Sequence, residues 1–287
     1  MNKSFALLKT LCVQSLRRAL QWRLPVLFVA ALLLPLAIVV APAWIVLDTQ
    51  LSYSAQAAVL AQQLDLATIT DLLNVGRRHV LGAQLALWTA LACTALTSPL
   101  LAGATVTAAR STEPLPFGAL LAGGMAEYAR MARMLLWSLV VMGVALWAGA
   151  TARELAQPDE ALLPGDGEFA GYLANGVTAL LVWAALVTAD AGRAMLAADR
   201  RRKSAIAAWW HGVALLRRQP VAALGSYAVL GVIGFGVTGL LGLARLHFPT
   251  GNLPGDVAAL ILTQAIALLL AWFRAARLFA LTAVARG

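Results

Sequence analysis

Six apolar runs divide the chain, at roughly Leu24–Leu47, Val80–Ala108, Met131–Ala150, Tyr172–Ala191, Val221–Leu243 and Val257–Leu281. At about 1.5 Å of rise per helical residue, each is long enough to cross a hydrocarbon core of about 30 Å. None shows strand-length alternation, and backbone groups in lipid must bond within their own segment, so the pattern predicts helices. The second and sixth runs exceed the minimum, which implies tilt or extension past the lipid. The predicted fold class is all-α, a polytopic membrane protein with about six transmembrane helices plus amphipathic interfacial helices. One membrane domain covers 1–287: an interfacial helix over 1–23, four spans over 24–191, a basic interfacial helix over 192–219 and two spans over 220–287.

Between the spans, two stretches look alike. Lys3-Ser4 leads fourteen residues on to Arg17-Arg18 and then Pro25, and Lys203-Ser204 leads fourteen residues on to Arg217-Arg218 and then Pro220. In the first, Phe5, Leu8, Val13, Leu16 and Leu20 fall near helical spacing against Lys9 and Arg17, as in a helix lying in the headgroup plane. Phe117–Arg130 is a third apolar and charged stretch that leads into a span. The chain therefore reads as three units of interfacial helix, span, outer loop and span. Asp48–Arg78 suggests a short amphipathic helix or two on the outer surface. Thr151–Glu168 and Leu246–Asp256, with their Pro and Gly, read as exposed loops.

Composition agrees. Hydrophobic residues make up 61% of the 287 and charged ones 12%, where a soluble domain carries about 25% charged. Lipid must solvate part of such a chain. The net charge of +9 then follows from basic loops beside anionic lipid, and nucleic acid is not an expected partner. With the N-terminus inside, eighteen of the 22 Lys and Arg fall on inner segments and only Arg77, Arg78, Arg153 and Arg245 on outer ones. That asymmetry predicts both ends in the cytoplasm. The Ala, Leu and Arg bias resembles a GC-rich bacterial chain, which points to the bacterial cytoplasmic (inner) membrane. Ala41-Pro42-Ala43 resembles a signal-cleavage site, but the internal proline and the long basic region before it argue against processing.

Few residues carry candidate chemistry. Asp190, near the inner end of the fourth span, is a costly position for a carboxylate, and Arg193 three residues on shares its helical face. The pair reads either as a structural ion pair at the interface or as a polar intramembrane site. Arg200, Arg201, Arg202, Lys203, Arg217 and Arg218 are the candidate contacts for anionic lipid, or a topology anchor. Thr94, Thr97 and Ser98 precede Pro99, where hydroxyls can re-satisfy carbonyls that a proline frees. Gln84, Asn175 and Gln264 can bond between helices or line a cavity if they converge. Gly231, Gly234, Gly236, Gly239 and Gly242 thin the fifth span for close internal packing, or for a dimer face. His79, His211 and His247 are scattered, and Cys12 and Cys93 lack ligand spacing, so no metal, cofactor or disulfide is expected. There is no phosphate-binding loop and no nucleophile elbow, so no catalytic residue is assigned.

The fourth span ends in Asp190-Ala-Gly-Arg193, followed by Asp199-Arg200-Arg201, a helical stretch, and Arg217-Arg218-Gln-Pro220 before the fifth span. That order resembles uncharacterised bacterial six-span inner-membrane proteins, and is similar to the membrane-anchoring domain of some glycerophosphoryl diester phosphodiesterases. Members of that group tend to carry an aromatic and an alanine between the Asp and Arg, where this chain has Ala191 and Gly192. The resemblance implies a membrane component without a reaction of its own, since no phosphodiesterase catalytic domain is present. The leading expectation is a non-enzymatic inner-membrane protein, a subunit or scaffold of an envelope assembly that binds lipid. Its expected partners are membrane lipids, other inner-membrane proteins or a second copy of itself. Two alternatives stand beside it: a small transporter or channel with a polar site around Asp190, and an intramembrane lipid-modifying enzyme.

Overall fold

The structure, a computed structural model, describes residues 2–51, 80–156, 168–247 and 253–286. Among these there is no strand. Eight α-helices follow in order: α1 Asn2–Ala19, α2 Arg23–Leu51, α3 Val80–Arg110, α4 Phe117–Ala156, α5 Glu168–Ala198, α6 Ala205–Arg218, α7 Ser226–Leu246 and α8 Leu253–Arg286. Six of them, α2 to α5 with α7 and α8, are long and apolar enough to cross a membrane. In the most apolar stretch of each, no more than 28% of residues are buried, so lipid has to cover the rest. The chain is a multi-pass helical membrane protein.

Neighbours in sequence pack as neighbours from α2 through α5, and α8 closes the bundle by touching α1, α2, α3, α5 and α7. Burial concentrates at one end. In α3 most buried residues lie between Leu101 and Ala109, in α5 between Ala185 and Ala197, and in α8 between Ala271 and Val284, with only small residues such as Ala86, Ala90, Ala174 and Ala259 buried toward the other end. The other half of these helices exposes Leu81, Leu85, Trp88, Phe169, Tyr172, Leu260 and Ile261. The packed end also holds α1, α6 and the chain's clustered arginines, and is called the basic end below. Much of its core is alanine and glycine. Between apolar helices in lipid there is no hydrophobic drive to associate, so small residues that let backbones touch supply dispersion contact instead.

Two crossings show how close that approach is. A Cβ placed on Gly212 of α6 would stand 2.7 Å from the Ala191 carbonyl carbon and the Gly192 nitrogen of α5. On Gly103 of α3 it would stand 2.8 Å from the Gly124 oxygen of α4. The glycines of α7 behave otherwise. Only Gly234 meets a neighbour, Phe273 of α8, while Gly231, Gly236, Gly239 and Gly242 face open space among the described residues. The internal packing expected of all five therefore holds at one, because α7 lies at the edge of the bundle with α8 as its main partner.

The expected three-unit organisation is also corrected. Phe117–Arg130 is no separate interfacial helix: α4 runs unbroken over 40 residues, about 60 Å at helical rise, because Glu127 inside that stretch finds partners within the bundle. The two short helices do resemble one another in ending on Arg17-Arg18 and Arg217-Arg218, but they pack on different elements, α1 mainly on α8 and α6 on α5. Among the described side chains of α1 the buried ones are Cys12, Ser15 and Ala19, while Val13, and Leu20 just past its end, both expected on its apolar face, are exposed. Burial also pushes the Cys12 thiol up, keeping it protonated and unreactive near neutral pH. Ser204 caps α6 by accepting from the Ala207 amide at 3.3 Å. Ala41, Pro42 and Ala43 lie inside the continuous helix α2. The surface helices expected over Asp48–Arg78 fall largely outside the described residues; of the loops expected at Thr151–Glu168 and Leu246–Asp256, residues 157–167 and 248–252 lie outside them, while 151–156 continue α4 and 253–256 begin α8.

The glycine crossings yield a paired prediction. Gly212→Val forces α6 off α5 and lowers unfolding stability by about 1–3 kcal/mol, as over-packing against unyielding backbone does. Gly239→Ala, with nothing near it, stays within about 0.5 kcal/mol of the parent. Denaturation followed in detergent checks both, and equal effects at the two positions would contradict this account of the crossing.

Candidate functional site

The functional candidates cluster at the basic end in two layers. The deeper layer begins with Asp190, two turns before the end of α5. Its Oδ1 accepts from Arg193 at 2.5 Å and its Oδ2 from the Tyr227 hydroxyl of α7 at 2.9 Å. Both members of the ion pair keep under 15% of their side-chain surface exposed. Tyr227 is itself buried, and the Arg277 guanidinium of α8 stacks over its ring at 5.0 Å. A carboxylate tied at both oxygens tolerates an apolar setting that would otherwise cost several kcal/mol.

Beside the pair lies a cavity of about 100 Å³, room for several waters or one small polar group. Asp190 and Arg193 of α5, Arg274 of α8, and Thr94, Thr97, Ser98 and Thr105 of α3 supply its polar lining. Phe28 and Leu32 of α2, with Leu101 and Leu278, supply apolar walls. Leu32 and Thr94 are exposed as well as lining it, so the cavity communicates with the lipid-facing flank. Arg274 differs from its neighbours. It lines the cavity and remains exposed. Among the described residues it makes no hydrogen bond and no ion pair. Three guanidinium groups thus stand around one carboxylate.

The shallower layer is an ion network. Glu127 of α4 accepts from Arg110 of α3 on one oxygen and from Arg130 on the other, both at 2.5 Å. The same two arginines donate to the end of α5 and the turn beyond it: Arg110 to the Ala197 and Leu196 carbonyls at 2.8 and 2.9 Å, Arg130 to Leu196, Asp199 and Arg202 at 2.7–3.0 Å. The unbonded carbonyls that end every helix, and the negative pole they carry, are met here by cations. Arg18, Arg23 and Arg286 bond the carbonyls of Ser111, Leu115 and Ala109 at the α3–α4 turn in the same way.

The sequence candidates are distributed accordingly. Asp190 and Arg193 are paired as expected. Arg200, Arg201, Lys203, Arg217 and Arg218 are exposed, whereas Arg202 is engaged with the Asp199 carboxylate at 3.2 Å. The Arg201 amide beside Asp199 holds that carboxyl below the usual range. Thr94 and Thr97 bond the carbonyls of Ala90, Cys93 and Thr94. They do not bond that of Ala95, the carbonyl Pro99 leaves, so their expected role in repairing the proline is replaced by lining the cavity. Gln84, Asn175 and Gln264 do not converge on it. Asn175 lies in a separate depression with Arg153, Glu154 and Thr178 toward the other end. No group of acidic, His or Cys residues suited to a metal occurs among the described residues. Glu127, Tyr227, Arg274 and Arg277 were not singled out from the sequence, although charged residues inside spans signal such sites.

No protein-family model matches this chain, and neither a curated protein nor a solved structure matches it.

The network carries a prediction. Glu127→Gln leaves two buried guanidinium groups without a counter-charge and costs about 3–5 kcal/mol of stability, read as a fall in folded, monodisperse protein and in its unfolding midpoint. An unchanged midpoint would mean that the network does not hold α5.

Proposed function

We propose that this protein is a non-enzymatic bacterial inner-membrane protein that binds lipid, taking the polar end of a bilayer amphiphile into the cavity between α3, α5 and α8. One observation carries the reading: side chains of three spans converge on a single polar cavity that is walled by apolar residues and communicates with the lipid-facing flank. An amphiphile supplies both chemistries at once, a polar group for the arginines and hydroxyls and an apolar body for Phe28, Leu32, Leu101 and Leu278. Binding rather than catalysis follows from the chemistry of Asp190. Both its oxygens are held, which leaves it poorly placed as a general base. The exposed Arg200, Arg201, Lys203, Arg217 and Arg218 support an orientation with the basic end on the cytoplasmic side beside anionic lipid, and both termini with it. The place of the protein in an envelope assembly, and its kinship with phosphodiesterase membrane anchors, belong to the same reading.

Native mass spectrometry after mild detergent extraction tests it. The expected result is an amphiphile retained at about one per chain, lost in Ala102→Phe, which fills the cavity without touching the ion pairs. A parent protein that carries no amphiphile would sink the proposal. The convergence of the second, fourth and sixth spans also favours one rival, a small transporter. An Asp190→Asn variant that expresses normally but loses a proton-coupled flux in vesicles would establish the rival.

A further inference from the structure

Resting on that reading, we infer that the polar group the cavity receives is a phosphate-type oxyanion, with Arg274 as its principal cationic contact. Each of the other cations near the cavity already has a partner. Arg193 is paired with Asp190, and Arg277 lies over the faces of Tyr227 and Phe235, 5.0 and 6.0 Å from their centres. Arg274 has neither an acceptor nor a ring among the described residues, yet it stands in a cavity inside the bundle. The carboxylate near it, Asp190, is already held at both oxygens by Arg193 and Tyr227, so one carboxylate faces several cations and an anion in the cavity supplies the further counter-charge.

The geometry selects the kind of anion. A carboxylate presents two oxygens in one plane, which a single arginine fork can match. The forks of Arg193 and Arg274 both border the cavity, and the Ser98 hydroxyl, which makes no hydrogen bond among the described residues, borders it too. Donors from three sides suit the several terminal oxygens of a phosphate. Thr94, Thr97 and Thr105 have donated their protons to carbonyls of their own helix, so they offer only lone pairs, which suit a hydroxyl on the same ligand.

The test uses the full chain, delipidated in neutral detergent, titrated with short-chain phosphatidic acid, short-chain phosphatidylcholine, diacylglycerol and inorganic phosphate. Phosphatidic acid should bind most tightly, and Arg274→Gln should weaken it at least about tenfold. Arg274→Lys should recover part of that loss, and Arg218→Gln at the exposed surface should leave affinity within about twofold. Inorganic phosphate competing as well as phosphatidic acid would keep the oxyanion and its arginine but assign a soluble source. Because Arg274 is unpaired, Arg274→Gln without ligand should melt at or above the parent temperature. A clear fall in that temperature would reveal a structural partner and overturn the inference. So would diacylglycerol or phosphatidylcholine binding as well as phosphatidic acid, unaffected by Arg274→Gln. In that case amphiphile binding would survive and the oxyanion would not. If no amphiphile binds at all, both fall.

Discussion

A helix that ends inside a packed bundle leaves its last carbonyls without amide partners, and α5 ends against the guanidinium groups of Arg110 and Arg130. Those two arginines come from α3 and α4, and Glu127 between them neutralises part of their charge. Three spans are thereby tied at one level, in a setting where burying apolar surface gives little reason for helices to associate. The tie fixes the height and rotation of α5. Arg193 and Asp190 lie about one and two turns above it, so its geometry decides where they point. It also sets the chain's exit from α5, since Arg130 holds the Asp199 and Arg202 carbonyls and Ser204 then starts α6.

This changes how the basic residues are understood. Read from the sequence, the arginines at this end are topology markers beside anionic lipid. Arg18, Arg23, Arg110, Arg130 and Arg286 each bond backbone carbonyls, at helix ends or in the turn between α3 and α4. Arginine suits that work because its planar fork reaches two acceptors at once, whereas a lysine ammonium on a flexible stem does not. The two roles are compatible. A residue can bias insertion while the chain is being made and close a helix end once it has folded. Arg200, Arg201, Lys203, Arg217 and Arg218 stay exposed.

The spans were legible in the sequence because hydropathy over about twenty residues is a strong signal, and the six apolar helices follow it closely. The Asp190–Arg193 pair was legible for a local reason: residues three apart on a helix meet whatever the tertiary fold. What was not legible depends on which helix faces which. Glu127 sits in a stretch of apolar and charged residues where nothing local marks it, and it gains its role only when α3 brings Arg110 to it. Thr94 and Thr97 read as servants of Pro99 until α8 brings Arg274 to their side. The glycines of α7 read as an interface because spacing records smallness but not the neighbour, and only Gly234 has one.

The position of the cavity follows from the gradient of packing along the bundle. Toward the basic end, alanine, glycine and the arginine ties draw the helices together. Toward the other end, the same helices expose leucine and aromatic side chains to lipid. Buried side chains thin out toward that end, and the polar side chains stand where the dense packing gives way. Higher up they would meet lipid, and lower down there is no room. Asp190, Arg193 and Arg274 occupy that level, around the cavity between α3, α5 and α8. A charge there is costly whether or not the site has a use. Tyr227 and Arg193 relieve the cost at Asp190, and the rings of Tyr227 and Phe235 relieve it at Arg277. Arg274 is the one residue at that level whose charge the fold leaves without a hydrogen bond, an ion pair or a ring among the described residues, which makes it the place where a ligand would complete the structure.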